Sequence, residues 1–238
     1  SKPYVDMTLE TLFEASVDVE NESYKRFLVR APQDVKPFRF QVPGDMGLSA
    51  FLFALASITN STATVRGFDF SRPQSDLEVL SLIEEMGCEV KVDKRSGSVT
   101  VSGGELIGGE FRLRDAPDLL PVVAALATRA EGKTVIKDVG HARFKESDRI
   151  ACLARELPKL GVQVRELEDG LEVEGSKRLK GCFLKSYGDH RLFMALFAAA
   201  AAASEPCEID GLESVFISYP NFIEDVKRLG IRVEAVEE

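Results

Sequence analysis

Three cations crowd the start of one predicted helix. Arg143 and Lys145 precede this helix, and Arg149 lies in its first turn. The N-terminus of a helix carries a partial positive charge and so favours anions. Three cations at such a place are expected only where an anion binds, and we therefore predict an anion site. The alternative is a solvated helix start, with Ser147 or Asp148 as the N-cap.

A second polar group opens a helix that is otherwise apolar. It consists of Asp189, His190 and Arg191, followed by the alanine-rich run 192–203. Polar side chains at the mouth of a buried helix need hydrogen-bonding partners. Arginine can hold a carboxylate or a phosphate through two parallel hydrogen bonds, which favours Arg191 as an anion ligand. A single histidine is more often structural than catalytic.

A repeated pattern of helix, stop, strand, turn and strand runs through the chain. Its helices end at residues 16, 87, 161 and 230, which are 71, 74 and 69 residues apart. Glycine at the last three positions fits a left-handed C-cap. Beyond each stop the apolar spacing changes from three and four to two, which predicts strands. These strands are expected at 17–20, 27–29, 88–92, 98–102, 162–165, 171–174 and 231–234.

Interleaved with this pattern is a second one: an acidic turn, an alanine-rich helix and a strand. Its helices are predicted at 50–57, 122–130 and 192–203. The two patterns combine into a β-α-β-α-β-β unit of about seventy residues. The predicted fold class is therefore α/β, with repeated units around a pseudo-threefold axis.

Asp118 occupies the position that Asp45 and Asp189 hold in the other copies of the second pattern. Its simplest role is that of a helix cap beside Pro117. Around a threefold axis, however, the N-termini of the alanine-rich helices should meet on one face. The residues expected to converge there are Asp118, Lys145, Glu146, Arg149, His190 and Arg191. Carboxylates and cations together suit acid–base chemistry on an anionic substrate.

The two patterns occur in unequal numbers, and orphan halves leave a sheet edge uncovered, which is costly. We therefore expect these 238 residues to be the C-terminal part of a longer polypeptide. Residues 1–42 would be the end of a first, incomplete domain, with a linker at 31–42. Residues 43–238 would be a second globular domain of three units. The alternative is a natural short protein that dimerises to complete its units.

Composition excludes several classes of protein. With 45% hydrophobic and 29% charged residues, the chain has the composition of a soluble globular protein. A net charge of −9 argues against binding to nucleic acid or a membrane surface. The longest apolar run, 192–203, is too short to span a bilayer. Four scattered cysteines predict reduced, mostly buried thiols in a cytoplasmic protein, neither a zinc site nor a disulfide framework.

Taken together, these motifs resemble the 5-enolpyruvylshikimate-3-phosphate (EPSP) synthases, or 3-phosphoshikimate 1-carboxyvinyltransferases. The resemblance is to the C-terminal portion of the family and covers essentially the whole chain. The segments that carry it are Ser1–Tyr4, Val42–Asp45, Pro117–Asp118, Lys145–Arg149, Asp189–Arg191 and Tyr219–Pro220. The resemblance implies the inside-out α/β barrel of enolpyruvyl transferases. The implied reaction, in the shikimate pathway, transfers the enolpyruvyl group of phosphoenolpyruvate to the 5-hydroxyl of shikimate 3-phosphate and releases phosphate.

The resemblance also implies roles for individual residues. Asp118 would accept the proton of the 5-hydroxyl, while Lys145 and Glu146 would help to place protons. The residues implied to bind shikimate 3-phosphate are Ser1, Asp118, His141 and Lys145. Those implied to bind phosphoenolpyruvate are Arg149, His190 and Arg191. No metal, organic cofactor, nucleic acid or membrane is implied, and the whole enzyme would be a monomer.

Two positions depart from the family pattern. Ile217 stands where the family often has a lysine, and His141 stands where some relatives have asparagine. Two alternatives therefore stay open: a UDP-N-acetylglucosamine enolpyruvyl transferase, which shares the fold, and a non-catalytic binding module. Because the family's site lies between two domains, we expect the 238-residue chain to be inactive alone.

Overall fold

A computed structural model of the chain describes residues 1–236. Within this range the helices are α1 (Lys2–Glu14), α2 (Met46–Ile58), α3 (Glu78–Glu85), α4 (Leu120–Ala127), α5 (Arg149–Glu156), α6 (His190–Ala200) and α7 (Phe222–Arg228). The strands are β1 (Glu20–Glu22), β2 (Arg26–Leu28), β3 (Thr62–Arg66), β4 (Glu89–Asp93), β5 (Ser98–Ser102), β6 (Glu110–Arg112), β7 (Lys133–Lys137), β8 (Gln163–Leu167), β9 (Gly170–Glu174), β10 (Phe183–Leu184) and β11 (Glu208–Ile209). Short 3₁₀ turns precede or extend several helices.

Three apolar helices, α2, α4 and α6, pack against one another at the centre of the molecule. Nearly all of their residues are buried, and many are alanine or another small residue. Small side chains at the contacts let the helix axes approach closely. These helices confirm the three alanine-rich helices predicted from the sequence. No helix within residues 1–236 is long and apolar enough to cross a membrane.

The sheets lie outside the central helices, so the fold is an inside-out arrangement of the predicted α/β type. One sheet has the order β3-β5-β4, a second the order β6-β7-β9-β8, and a third pairs β10 with β11. In β7 the buried side chains are Thr134 and Ile136, and the strand packs against α4. Its other residues are more exposed, as the alternation of a half-buried strand requires.

Residues 110–174 contain one whole repeat unit. Its elements run β6, α4, β7, α5, β8 and β9 in chain order, which confirms the predicted β-α-β-α-β-β unit. β6 and β7 are parallel, while β9 pairs antiparallel with both β7 and β8. The final strand of the unit is therefore central in its sheet, and β8 is an edge strand that pairs with β9 alone.

The strand predicted at 231–234 is wrong: these residues are not paired in a sheet. By the repeat, the segment corresponds to β8, whose only partner is the last strand of its unit. No later strand follows it within the described residues. An isolated extended segment has no ladder of hydrogen bonds and is not stable as a strand. The third unit accordingly shows β10, α6, β11 and α7 only.

The predicted helix stops adopt left-handed backbone conformations. Gly87, Gly161 and Gly230 have φ values of 96°, 93° and 91°, and Ser16 has 60°. These residues end α3, the 3₁₀ extension of α5, α7 and α1, respectively. A residue with a left-handed conformation ends the helix, and glycine adopts this conformation readily because it has no Cβ. The pattern of stops is thus confirmed at all four positions.

The first 42 residues contribute little to the core, whose buried apolar residues lie between Met46 and Val226. α1 has no buried residue. It is held by Arg72, whose guanidinium lies 3.0 Å from Glu10 and 3.3 Å from Glu14 and stacks over the Phe40 ring. The boundary near residue 42 stays a prediction.

We expect Gly87→Ala to destabilise the chain more than Gly161→Ala. Both positions are left-handed, so an alanine costs roughly 1–2 kcal/mol at either. At Gly87 the new Cβ would lie only 2.5 Å from the backbone oxygen of Glu105, so the backbone must also shift. At Gly161 it would meet only the flexible side chain of Lys180, at 3.6 Å. Urea unfolding of the two variants measures the difference; equal losses would contradict this explanation.

Candidate functional site

A fully buried arginine lies at the centre of the charged cluster. The Arg149 side chain is 1% exposed and is surrounded by three carboxylates. Its Nε donates to Asp189 Oδ2 at 2.8 Å, Nη1 to Asp118 Oδ1 at 2.9 Å, and Nη2 to Glu146 Oε2 at 2.6 Å. Burial of an ion is costly unless its partners are well placed, and here every guanidinium nitrogen has one.

Two further cations contact Asp118, one of the three carboxylates around Arg149. Lys145 Nζ lies 3.3 Å from Asp118 Oδ1, and Arg191 Nη2 lies 3.4 Å from Asp118 Oδ2. Asp118 therefore faces three cations. Burial alone would raise the pKa of Asp118, but Arg191, Lys145 and Arg149 outweigh it and hold the pKa below its usual value.

The starts of α5 and α6, which belong to two different repeat units, meet at this cluster. Asp189 caps α6 by accepting hydrogen bonds from the backbone N–H groups of Arg191 and Leu192. Asp148 caps α5 through the N–H of Ala151, as one of the two predicted caps. Asp45 caps α2 in the same manner, through the N–H of Leu48. The convergence of predicted residues from separate repeats on one face is what the structure shows.

Asp118 does not act as the helix cap that its sequence position suggested. The turn that it shares with Pro117 makes no side-chain capping hydrogen bond. Its carboxylate instead turns towards the three cations. Asp45 and Asp189, at the equivalent repeat positions, are caps. The repeat therefore predicts the place of Asp118 correctly but not its task.

The structure corrects the prediction that Arg143 belongs to an anion site with Lys145 and Arg149. Its Nη1 lies 3.0 Å from Asp148 and 2.7 Å from Glu166, and its other nitrogens donate to the carbonyls of Leu167 and Glu168. These contacts fasten the start of α5 to the turn after β8. Arg143 thus needs no external anion, and only Lys145, Arg149 and Arg191 belong to the cluster.

The remaining predicted residues lie around the cluster. His190, in the first turn of α6, is 8% exposed, and burial and the neighbouring Arg191 lower its pKa. His141 is exposed in the 3₁₀ turn before Lys145, and partial burial of its ring lowers its pKa. Ser1 is exposed, and its Oγ donates to the carbonyl of Arg114 at 3.4 Å.

Sequence reasoning missed a buried acidic residue beside the cluster. Asp76 is not among the residues predicted to form the site, yet it accepts a hydrogen bond from the Tyr4 hydroxyl at 2.9 Å. Burial, followed by smaller contributions from Asp118 and Asp45, raises the pKa of Asp76, although Tyr4 and Arg191 oppose this. A signal was present, because Tyr4 lies in a segment that carried the family resemblance.

Glu156 anchors the loop that leads to α6. This buried carboxylate accepts hydrogen bonds from Lys159 Nζ at 2.6 Å, the N–H of Lys185 at 2.8 Å and the Tyr187 hydroxyl at 2.8 Å. Tyr187 has a φ of 56°, which is strained for a bulky residue. The Glu156 contacts stabilise that conformation and so help to place Asp189.

Ile217 offers no polar contact. Its side chain is 79% exposed at the end of the 3₁₀ turn Leu212–Ile217. The apolar group cannot replace a lysine as an anion ligand. Among residues 1–236, no group of three or more His, Cys, Asp or Glu side chains could hold a metal ion.

Comparison with known proteins places this arrangement in a family. The family model for EPSP synthase (3-phosphoshikimate 1-carboxyvinyltransferase) matches residues 1–226. The chain belongs to the EPSP synthase family.

Individual EPSP synthases support the assignment. The 3-phosphoshikimate 1-carboxyvinyltransferase of Methanothrix thermoacetophila is 43% identical over 235 residues, which cover 99% of this chain and 55% of the relative. That of Methanocella arvoryzae is 42% identical over 234 residues, with coverage of 98% and 55%. The solved EPSP synthase from Acinetobacter baumannii has a TM-score of 0.82 at 28% identity, with coverage of 97% and 55%. The chain thus spans about half the length of these relatives.

We expect Arg149→Met to destabilise this EPSP synthase chain by roughly 3–5 kcal/mol, because it leaves buried carboxylates without their partner. The control is Arg178→Met, which removes an ion pair with Glu205 on a side chain that is 80% exposed. We expect the control to leave the unfolding free energy nearly unchanged. Urea unfolding at pH 7 measures both. A small loss in Arg149→Met would contradict the central role of this residue.

We also expect the stability to fall as the pH falls below about 5, because the ionised forms of Asp118 and Asp189 are stabilised in the folded state. A carboxyl with a lowered pKa contributes stability above its unfolded pKa and loses it as pH falls through the folded pKa. Asp76 has a raised pKa and acts in the opposite direction. Asp76→Asn should therefore steepen the acid decline in urea unfolding; a shallower decline would contradict these assignments.

Proposed function

We propose that this chain is part of a 3-phosphoshikimate 1-carboxyvinyltransferase that works as a monomer in the cytoplasm. In the proposed reaction, the 5-hydroxyl of shikimate 3-phosphate adds to C2 of phosphoenolpyruvate, and the C3 methylene gains a proton. Loss of a proton from C3 and of phosphate from C2 then restores the double bond. The residues of the cluster would bind and orient the two anions and move protons; no metal or organic cofactor is invoked.

The observation that carries the proposal is an unpartnered nitrogen in the cluster. Arg191 Nη1 is buried and has no hydrogen-bond partner, while Nη2 of the same residue faces Asp118. A buried donor without a partner is costly and points to a missing acceptor. A phosphate or carboxylate oxygen is the acceptor that a guanidinium binds best. We assign Arg191 to phosphoenolpyruvate.

Asp118 is suited to accept the hydroxyl proton. Its pKa is lowered, so the carboxylate is ionised at neutral pH. A low pKa makes a weak base, but anionic substrates beside Arg191 and Lys145 would offset part of the positive field. The pKa of Asp118 would then rise towards the value of a useful general base.

Lys145 and Glu146 lie side by side at the open edge of the cluster. Lys145 is near Asp118, so its ammonium can donate to the substrate oxygens that Asp118 would hold. Glu146 binds Arg149 but is half exposed, so it can turn towards a substrate. We assign Lys145 and Glu146 to proton placement, the latter at the methylene of phosphoenolpyruvate.

The role of Arg149 requires a rearrangement. All three of its nitrogens are bound to carboxylates. An incoming anion would have to displace Glu146, the most exposed of these three partners, to reach the guanidinium. His190, whose lowered pKa keeps it neutral at pH 7, would serve as a hydrogen-bonding group beside the anion rather than as a charge.

Ser1 and His141 complete the proposed shikimate 3-phosphate site. Both are exposed, and His141 lies close enough to the amino group of Ser1 and to Lys145 for both charges to lower its pKa. We propose that the rest of the substrate contacts come from the part of the family sequence that these 238 residues do not span. The chain alone should therefore bind anions weakly and show no turnover.

The decisive experiment measures phosphate release from phosphoenolpyruvate and shikimate 3-phosphate. It compares the 238-residue chain with the same chain joined to its natural upstream region. We expect turnover only in the joined form. Turnover by the short chain at about 1 per second or more would contradict the proposed division of the site. No turnover in either form would favour a non-catalytic module and would implicate Ile217.

In the active form, we expect Asp118→Asn to lower kcat by about 10²–10⁴, because asparagine has a similar shape but cannot act as a general base. Arg191→Met should instead raise the KM for phosphoenolpyruvate more than the KM for shikimate 3-phosphate. The matched control is Arg178→Met, at an exposed site outside the cluster. Steady-state kinetics with each substrate varied separate these effects. Equal losses in all three variants would argue against the assigned roles.

A further inference from the structure

Two of the four cysteines occupy neighbouring positions on parallel strands. Cys182 immediately precedes β10, and Cys207 immediately precedes β11. The strands pair Phe183 with Glu208, so the same register places Cys182 opposite Cys207. The N–H of Glu208 donates to the carbonyl of Cys182 at 3.1 Å, which extends the ladder to this pair.

Both cysteines point to the same face of the strand pair. Along each strand, the second residue beyond the cysteine, Leu184 or Ile209, also packs against the core. On β10, the residue between Cys182 and Leu184 is Phe183, which is exposed and points to the other face. Residues two apart on a strand share a face, so the thiols of Cys182 and Cys207 lie side by side.

The spacing is compatible with a disulfide bond. Neighbouring strands lie about 4.8 Å apart, which falls within the Cα separations that disulfides span. β10 and β11 are each only two residues long, so the small approach of the Cβ atoms that a bond requires disturbs little structure. Burial and the adjoining Cys207 thiol raise the pKa of Cys182 to about 11, which agrees with direct contact between the thiols.

We propose that Cys182 and Cys207 form a vicinal dithiol that low-molecular-weight disulfides oxidise to an intramolecular disulfide bond. One protein thiolate attacks the reagent disulfide, forms a mixed disulfide and releases the first reagent thiol. The second protein thiolate attacks the protein sulfur of that mixed disulfide and releases the second. Two cysteines are oxidised, one reagent disulfide is reduced, and the two protons go to the released thiols.

The other two cysteines provide internal controls. Cys88 and Cys152 are both buried, one after the stop that ends α3 and the other within α5. They lie in different repeat units, one before a strand and the other in a helix, so they do not face each other across a strand pair. The expectation of scattered, mostly buried thiols therefore holds for this pair, whereas Cys182 and Cys207 are only half-buried and lie together.

The bond would join the two strands β10 and β11, the first of which leads to the cap of α6. β10 continues through residues 185–188 into the cap of α6, where Asp189 holds Arg149. β11 continues to the left-handed Gly211. A covalent link between the two strands would therefore fasten the support of the Asp189 cap, a property that none of the catalytic assignments requires.

The test treats the folded 238-residue chain with excess glutathione disulfide for several hours and measures its intact mass. We expect a loss of about 2 Da and no retained glutathione. Titration with Ellman's reagent after denaturation should then find two thiols instead of the four present before treatment. Proteolytic fragments should link Cys182 to Cys207.

The single variants Cys182→Ser and Cys207→Ser sharpen the test. Each retains one thiol of the pair and cannot close the bond, so it should keep one glutathione and gain about 305 Da. The proposal is overturned if the unsubstituted chain keeps all four thiols, retains two glutathiones, or forms a link to Cys88 or Cys152. Since the main measurement uses the unsubstituted chain, a misfolded variant would not remove the test.

Discussion

The burial of one guanidinium constrains the rest of this structure. Arg149 can be buried only because three carboxylates reach it, and these come from different elements. Asp118 comes from the turn before α4, Glu146 from the segment before α5, and Asp189 from the cap of α6. If one element shifted, a buried charge would lose its partner. The ion cluster and the packing of the central helices therefore support each other.

The same constraint decides what the site can bind. Lys145, Arg149 and Arg191 balance Asp118, Glu146 and Asp189, so the cluster is neutral without a ligand. Among the described residues of the cluster, Arg191 is the one that keeps a buried donor, Nη1, without a hydrogen-bond partner. Under the proposed function, anions would enter by exchanging with the internal carboxylates, which would keep the cations oriented between binding events.

Features that depend on local sequence were predictable. The helix stops at Ser16 and Gly161 followed from periodicity, as did the β-α-β-α-β-β order of the unit from β6 to β9. Features that depend on tertiary partners were not. The segment 231–234 has the pattern of a strand, but a strand also needs a neighbour, and the described residues provide none. A sequence shows that Arg143 is a cation but not that Glu166 neutralises it. The contact of Tyr4 with Asp76 joins residues that no periodicity relates.

The approach of residues from three repeat units also bears on how such a cluster can originate. One unit provides Asp76, the next Asp118 and Arg149, and the third Asp189 and Arg191. No single unit contains the constellation. An ancestral polypeptide with one unit could have built it only as a symmetric trimer, with three identical helix ends around the axis. Fusion of the copies into one chain lets equivalent helix ends diverge, so that in the proposed site Asp118 at one of them would serve as a base and Arg191 at another would bind an anion.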